Sequence, residues 1–252
     1  MAGHVAPALR ALLANLIDYA GMFPPTSLAR EAAVANYGRY RSAEHAWILG
    51  RFVIPAAQVM QMAPLDWPLA VLSDTDDPRA AAIESKNIIS TSKPTYCEVV
   101  LDQLDEVKKA GSFAKIRTGG IILDAIPSIE DVSSYIIACA DRKLSFKATA
   151  GLHHPIRSIH ALTYELGAPS AMMHGFINVF LAAAFAWRGE RDLDPILAET
   201  DPLAFRFDDS AHWRDRSLPA ANIAQARESF AHSFGSCSFE EPVEDLNALG
   251  FL

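Results

Sequence analysis

Along this chain, short apolar runs alternate with stretches in which apolar positions recur every three or four residues. The first pattern predicts strands and the second helices. Residues 7–20 read as an amphipathic helix broken by Gly21-Met22-Phe23-Pro24-Pro25. Thr26 or Ser27 then caps a second helix through Glu31 to about Arg41. The Asp18–Pro25 segment is expected to be the connecting loop, with a buried aromatic. Strands are predicted at 47–55 and 68–73. The acidic turn Ser73–Pro78 is expected to start a helix at Pro78, where a missing N–H does no harm. A very short strand at 87–90 precedes a clearer one at 95–101, a helix at 104–110 and a strand at 113–118. A Pro127-Ser128 turn then opens a helix over 129–141, followed by a strand at 144–150. Beyond His154 the rhythm weakens. The pattern there gives helices over 158–166, from Phe176 to Trp187 and over 219–232, a strand at 204–213, a loop at 235–239 and a short last helix.

Strands alternating with helices at intervals of about 30 residues argue for parallel βαβ units. A chain of 252 residues suits one α/β barrel. The expected fold is a single-domain parallel (β/α) barrel over 1–252, TIM-barrel-like, incomplete or elaborated towards the C-terminus, with the helices of 7–41 packed against it.

One pattern stands out within this frame. Lys115-Ile116-Arg117-Thr118-Gly119-Gly120 and Lys147-Ala148-Thr149-Ala150-Gly151 are both strands of the form Lys-x-polar-x-Gly, one supersecondary unit apart. Side chains alternate along a strand, so Lys115 and Arg117 share one face, as do Lys147 and Thr149. The outer face of a parallel barrel packs on helices and must be apolar. These polar positions therefore point into the lumen, and the residues ending each strand lie at the C-terminal mouth, where barrel active sites sit. Arg117, Thr118, Gly119, Gly120, Thr149 and Gly151 are the candidate binding residues for a phosphate or carboxylate, because glycines let backbone N–H groups approach a ligand. The alternative is that Lys115, Arg117 and Lys147 pair with lumen carboxylates such as Glu98 and hold the barrel together.

A lysine crowded by other cations in a low-dielectric pocket has its pKa lowered, which frees the amine to attack a carbonyl. Lys147-Ala148-Thr149-Ala150-Gly151 resembles the Lys-Thr-Ser-Thr-Gly strand of Schiff-base aldolases of the deoxyribose-phosphate aldolase type. The resemblance covers about forty residues. It implies Lys147 as the imine lysine and Lys115 as the cation that lowers its pKa. In that family the second lysine follows the imine strand, whereas Lys115 precedes it, and Arg117–Gly120 and His153-His154 have no counterpart.

The histidines open a rival reading. His153, His154 and His174, with Glu98 or Asp124, offer the imidazole and carboxylate donors that suit zinc, iron or manganese. Neighbouring side chains diverge, so one of His153 and His154 would ligate while the other met substrate. Without a metal, either is a general acid or base near neutral pH. Glu98 is a base, a ligand or the counter-ion of Lys115. Cys237, in Gly-Ser-Cys-Ser with His232 five residues before it, is expected to be buried and idle rather than a nucleophile.

Composition narrows the field. The formal charge of −8 argues against nucleic acid as a partner. Three cysteines without Cys-x-x-Cys spacing, and an N-terminus lacking a signal-peptide pattern, fit a soluble cytoplasmic protein. The apolar run Phe176–Trp187 is too short to span a bilayer, so no membrane partner is expected. The acidic, then apolar segment Ser238–Leu246 is expected to dock across the barrel or at a contact in a homo-oligomer, with Glu240 and Glu241 facing solvent. The sequence thus points to a lyase that uses a lysine imine on a small anionic carbonyl substrate, without a cofactor. The alternatives are a metal-dependent lyase, isomerase or hydrolase with a His/Glu site, and a non-catalytic metabolite-binding barrel.

Overall fold

The computed structural model of the protein describes residues 5–252. Helix α1 (Pro7–Leu13) leads into strand β1 (Ile17–Tyr19), and α2 (Arg30–Tyr40) into β2 (Leu49–Pro55). One helical turn, α3 (Ala56–Val59), precedes β3 (Leu69–Leu72), and β4 (Ala80–Ser85) and β5 (Thr95–Glu98) follow with no α-helix between them. With α4 (Leu104–Lys109), β6 (Phe113–Arg117), α5 (Ile129–Arg142) and β7 (Phe146–Thr149) the βαβ rhythm is regular. An insertion then carries the hairpin of β8 (Ser158–Ala161) and β9 (Ser170–Met173), helices α6 (Phe176–Trp187) and α7 (Asp194–Ala198), and an antiparallel sheet of β10 (Phe205–Phe207), β11 (Ser210–Trp213) and β12 (Arg216–Pro219). Helix α8 (Ala220–Ser229), β13 (Ala231–Ser236) and α9 (Glu240–Ala248) complete the chain.

The barrel is closed, in the order β1-β13-β7-β6-β5-β4-β3-β2, and every neighbouring pair is parallel. It is therefore a complete eight-stranded TIM-like barrel, elaborated between its seventh and eighth strands. The paired lysine strands lie side by side in the expected register, Lys115 beside Lys147 and Arg117 beside Thr149.

The differences from the sequence reading have local causes. The 7–20 helix ends at Leu13, because Asn15 turns the chain at φ 50° and Ile17–Tyr19 then enter the barrel as a fully buried strand. Three residues are too few to show a period. In place of a helix after Pro78, Ala80–Ser85 forms β4. A strand buried on nearly all of both faces loses its polar alternation, and this one, exposed only at Ala81, is alanine-rich. Residues 87–90 form no strand, and 158–166 give a hairpin strand and loop rather than a helix. The 204–213 strand is two strands of the inserted sheet, turning at Asp208 and Asp209. The last barrel strand takes the ends of two predicted elements, since Ala231 and His232 belong to it rather than to a helix and Gly235 and Ser236 rather than to a loop.

Helix α6 explains its own composition. All its residues from Phe176 to Ala186 are buried, against α5, α7, α8 and β13, so all of them but Asn178 are apolar. Among the described residues no helix is long and apolar enough to cross a membrane. Helix α5 starts at Ile129, directly after the Pro127-Ser128 turn, as expected. The Ser128 side chain accepts the Asp131 N–H while the Asp131 carboxylate accepts the Ser128 N–H.

Candidate active site

The lumen is charged, and its charges alternate in sign. From β1, Asp18 accepts from Lys147 of β7 at 2.5 Å, and Lys147 donates also to Glu84 of β4 at 2.6 Å. Glu84 presents its other oxygen to Lys115 of β6 at 3.2 Å, and Lys115 reaches Glu98 of β5 at 3.1 Å. Glu98 in turn accepts from Arg117 at 3.0 Å. Asp18 is further held by the Ser233 hydroxyl at 2.7 Å and the Arg51 N–H at 2.7 Å. Beneath this ladder, Tyr96 bonds His232 Nδ1 at 2.8 Å, and the Phe113 ring packs against both, edge-on to the imidazole. Each charge has a partner of opposite sign, and Asp18, Glu84, Lys115 and Lys147 are buried with theirs, the condition under which ions survive in a barrel interior.

These contacts set the protonation states. Burial alone would discharge Lys147, but Asp18 and Glu84 outweigh it and hold the ammonium above the ordinary lysine range. Burial would likewise protonate Glu84, yet Lys147 and Lys115 bring its pKa down to about 2. The lowering of the Lys147 pKa by Lys115 is thus reversed, because Glu84 stands between the two amines and neutralises their repulsion. Glu98 is also held below the usual carboxylate range, by Lys115 and Arg117 against the effect of burial.

At the C-terminal mouths of the strands a cavity of about 700 Å³ opens above the ladder. Its floor carries Glu84, Glu98, Lys115, Arg117, Thr149 and Gly235. One wall is apolar, built from Phe23, Pro24 and Pro25 of the β1–α2 loop with Leu72 and Ile121. The opposite wall presents His153, His154, Cys237 and Glu241, and the β8–β9 hairpin lays Leu162, Thr163, Tyr164 and Met173 alongside. Lys147, 1% exposed, lies below the cavity and does not line it.

The sequence-derived candidates divide accordingly. Lys115, Glu98, Arg117, Thr149, Gly120, Gly151, His153 and His154 come together around the cavity. Thr118 and Gly119 do not line it. The Thr118 hydroxyl donates to Ala150 O at 2.6 Å, and Gly119 packs on Gly151, where a Cβ on Gly119 would come within 2.8 Å of the Gly151 Cα. The recurring glycines therefore serve close approach of neighbouring strand ends as well as any ligand. His174 is directed elsewhere, with Nε2 2.9 Å from Pro127 O and Nδ1 near Arg157. His154 bonds Asp245 at 2.6 Å and stacks on His160. Glu98 is committed to Lys115 and Arg117. The expected His153, His154, His174 and Glu98 ligand set is not assembled, and among the described residues no group of three or more His, Cys, Asp and Glu side chains is placed to hold a metal ion.

Several site residues escape the sequence reading. The pattern of the chain puts Asp18 in a loop, Glu84 in a helix after Pro78, Tyr164 in a helix and Glu241 in solvent. Cys237 is buried, as expected, and has polar neighbours. Thr26 donates to its Sγ at 2.9 Å, and the histidine beside it is His153 at 4.0 Å, not His232, which sits under the ladder. A carboxylate in a strand-length apolar run, as with Glu84, is the signal that points to such a site, since burial of that charge demands a cation.

Comparison of the chain with protein-family models, curated proteins and solved structures finds no match.

Proposed function

We propose that this protein is a carbon–carbon lyase that forms an imine between a small anionic carbonyl compound and Lys115. The observation that carries the reading is the position of Lys115 Nζ, an amine on the cavity floor within 3.2 Å of two carboxylates, Glu84 and Glu98. Imine formation needs an amine that can lose a proton and a neighbour that can take and return it. Arg117, with nearly half its side chain exposed, is the group placed to receive the substrate's anion, and Thr149 lies beside it in register. An anion bound there competes with Glu98 for the guanidinium. Glu98, relieved of a cation, becomes a stronger base towards the Lys115 ammonium.

The amine then adds to the carbonyl carbon, and the carbinolamine loses water using the proton held by Glu98. Cleavage of the neighbouring C–C bond leaves its electron pair on the imine as an enamine, while the wall histidine His154, bonded to Asp245, takes the proton of the departing hydroxyl. Lys147 has a different role from the one implied by the aldolase resemblance. It is the buried counter-ion that fixes Glu84 in place.

Borohydride reduction in the presence of a panel of aldehydes and 2-oxo acids, followed by peptide mapping, tests this. A reduced adduct on the peptide carrying Lys115, lost in Lys115→Met, is the expected result. Adduct on Lys147 or another lysine, or none with any carbonyl compound, would overturn it.

A further inference from the structure

Cys237 sits where the eighth barrel strand ends and α9 is about to begin, in the wall of the same cavity. Two neighbours favour a sulfur anion there. The Thr26 hydroxyl donates to Sγ at 2.9 Å, and His153 Nδ1 lies 4.0 Å away. Glu241, from the first turn of α9, holds His153 Nδ1 at 3.2 Å and accepts from Tyr164 at 3.0 Å, so the imidazole is fixed in place beside the sulfur. We propose that Cys237, with His153 as its proton partner, is a covalent capture site for an aldehyde, the carbonyl fragment that the lyase reaction sets free.

The chemistry balances without a further reactant. Sulfur of the thiolate donates its pair to the aldehyde carbon, forming C–S. The C=O π pair moves to oxygen, which takes the proton from the His153 imidazolium. The product is a thiohemiacetal beside a neutral imidazole, and the reverse steps release the aldehyde. The charge states agree with this assignment. Burial opposes both charges, but His153 and Thr26 pull the Cys237 pKa down, while Cys237 and Glu241 raise that of His153 to about 9. The other ionisable groups around the sulfur are Tyr164 from the hairpin and Tyr19 from β1, both held protonated by burial.

The other two cysteines differ. Cys97 is fully buried, and its thiol donates to Ile89 O. Cys139 is buried in α5, where desolvation pushes its thiol up. They serve as internal controls.

The identity of the carbonyl compound rests on the proposed lyase reading, and the experiment separates the two. Iodoacetamide labelling of the folded protein near neutral pH should alkylate Cys237 at least about ten times faster than Cys97 or Cys139. His153→Asn should slow it and move its pH midpoint up towards that of a free thiol. Glycolaldehyde should protect Cys237, and protection should persist in Lys115→Met. Labelling of Cys237 no faster than the other two, a rate indifferent to His153→Asn, or no protection by glycolaldehyde would each overturn the proposal. Protection that vanishes in Lys115→Met would also overturn it, assigning the effect to an imine on Lys115. Failure of borohydride trapping with protection intact would overturn the lyase reading alone.

Discussion

Lys115 and Lys147 occupy equivalent positions on adjacent strands and share one carboxylate, Glu84, which gives Oε2 to the first at 3.2 Å and Oε1 to the second at 2.6 Å. Of the two, Lys115 alone borders the cavity. The same residue type in the same register thus has two fates. One amine meets whatever enters the barrel mouth, and the other is enclosed between Asp18 and Glu84.

This difference predicts unequal costs of removal. Lys147→Met leaves Asp18 buried without an ammonium and Glu84 with Lys115 alone, and should destabilise the fold by about 3–5 kcal/mol. In Lys115→Met, Glu84 still holds Lys147 and Glu98 still holds Arg117 next to the cavity, so the loss should be well under half as large. Urea unfolding of the two variants checks the order.

Acid should weaken the ladder in a defined window. The Glu84 pKa is depressed in the folded protein from an ordinary 4.5 to about 2. Between these values the unfolded chain binds a proton that the folded one does not, so stability falls as pH falls. The contribution is complete above about pH 4.5 and is lost as pH drops through 2. The unfolding midpoint measured over this range should decline more steeply in the wild type than in Glu84→Gln, which lacks the titrating group.

Gly151 combines two constraints. Its φ is +79°, and a Cβ there would lie 2.6 Å from the Gly119 Cα. Gly111 has a similar φ of +71° with open space around it. Gly111→Ala should therefore cost about 1–2 kcal/mol from backbone strain alone. Gly151→Ala must in addition push neighbouring strand ends apart at the cavity, and should cost clearly more. Melting temperatures of the pair separate conformational strain from crowding.

Asn178 ties parts of the inserted segment to one another. Fully buried in α6, it donates to Ile196 O at 2.8 Å and Glu199 O at 2.9 Å and accepts from the Arg157 N–H at 3.0 Å. Asn178→Leu leaves these groups without partners, at about 1–3 kcal/mol each where they are buried. Because Arg157 directly precedes the hairpin beside the cavity, the variant should also show faster amide exchange at Ser158–Met173 than the wild type.

What the sequence determined by itself was periodic or local. Alternation along 113–118 and 144–150 aligned Lys115 with Lys147, regular helix–strand spacing indicated a parallel barrel, and the Pro127-Ser128 turn marked the start of α5. Short or almost wholly buried strands were illegible. Ile17–Tyr19 is too brief to show a period, Ala80–Ser85 has lost its polar face to burial, and Ala231–Ser236 carries a glycine and serines that read as a loop. These strands carry Asp18, Glu84 and Ser233, and β13 leads directly to Cys237. Only barrel closure could decide the partners of the lysines, because Asp18 and Lys147 are brought together across the lumen from the first and seventh strands of the barrel. That closure, and not the Lys-x-polar-x-Gly pattern, determines which amine is enclosed beneath the cavity and which borders it.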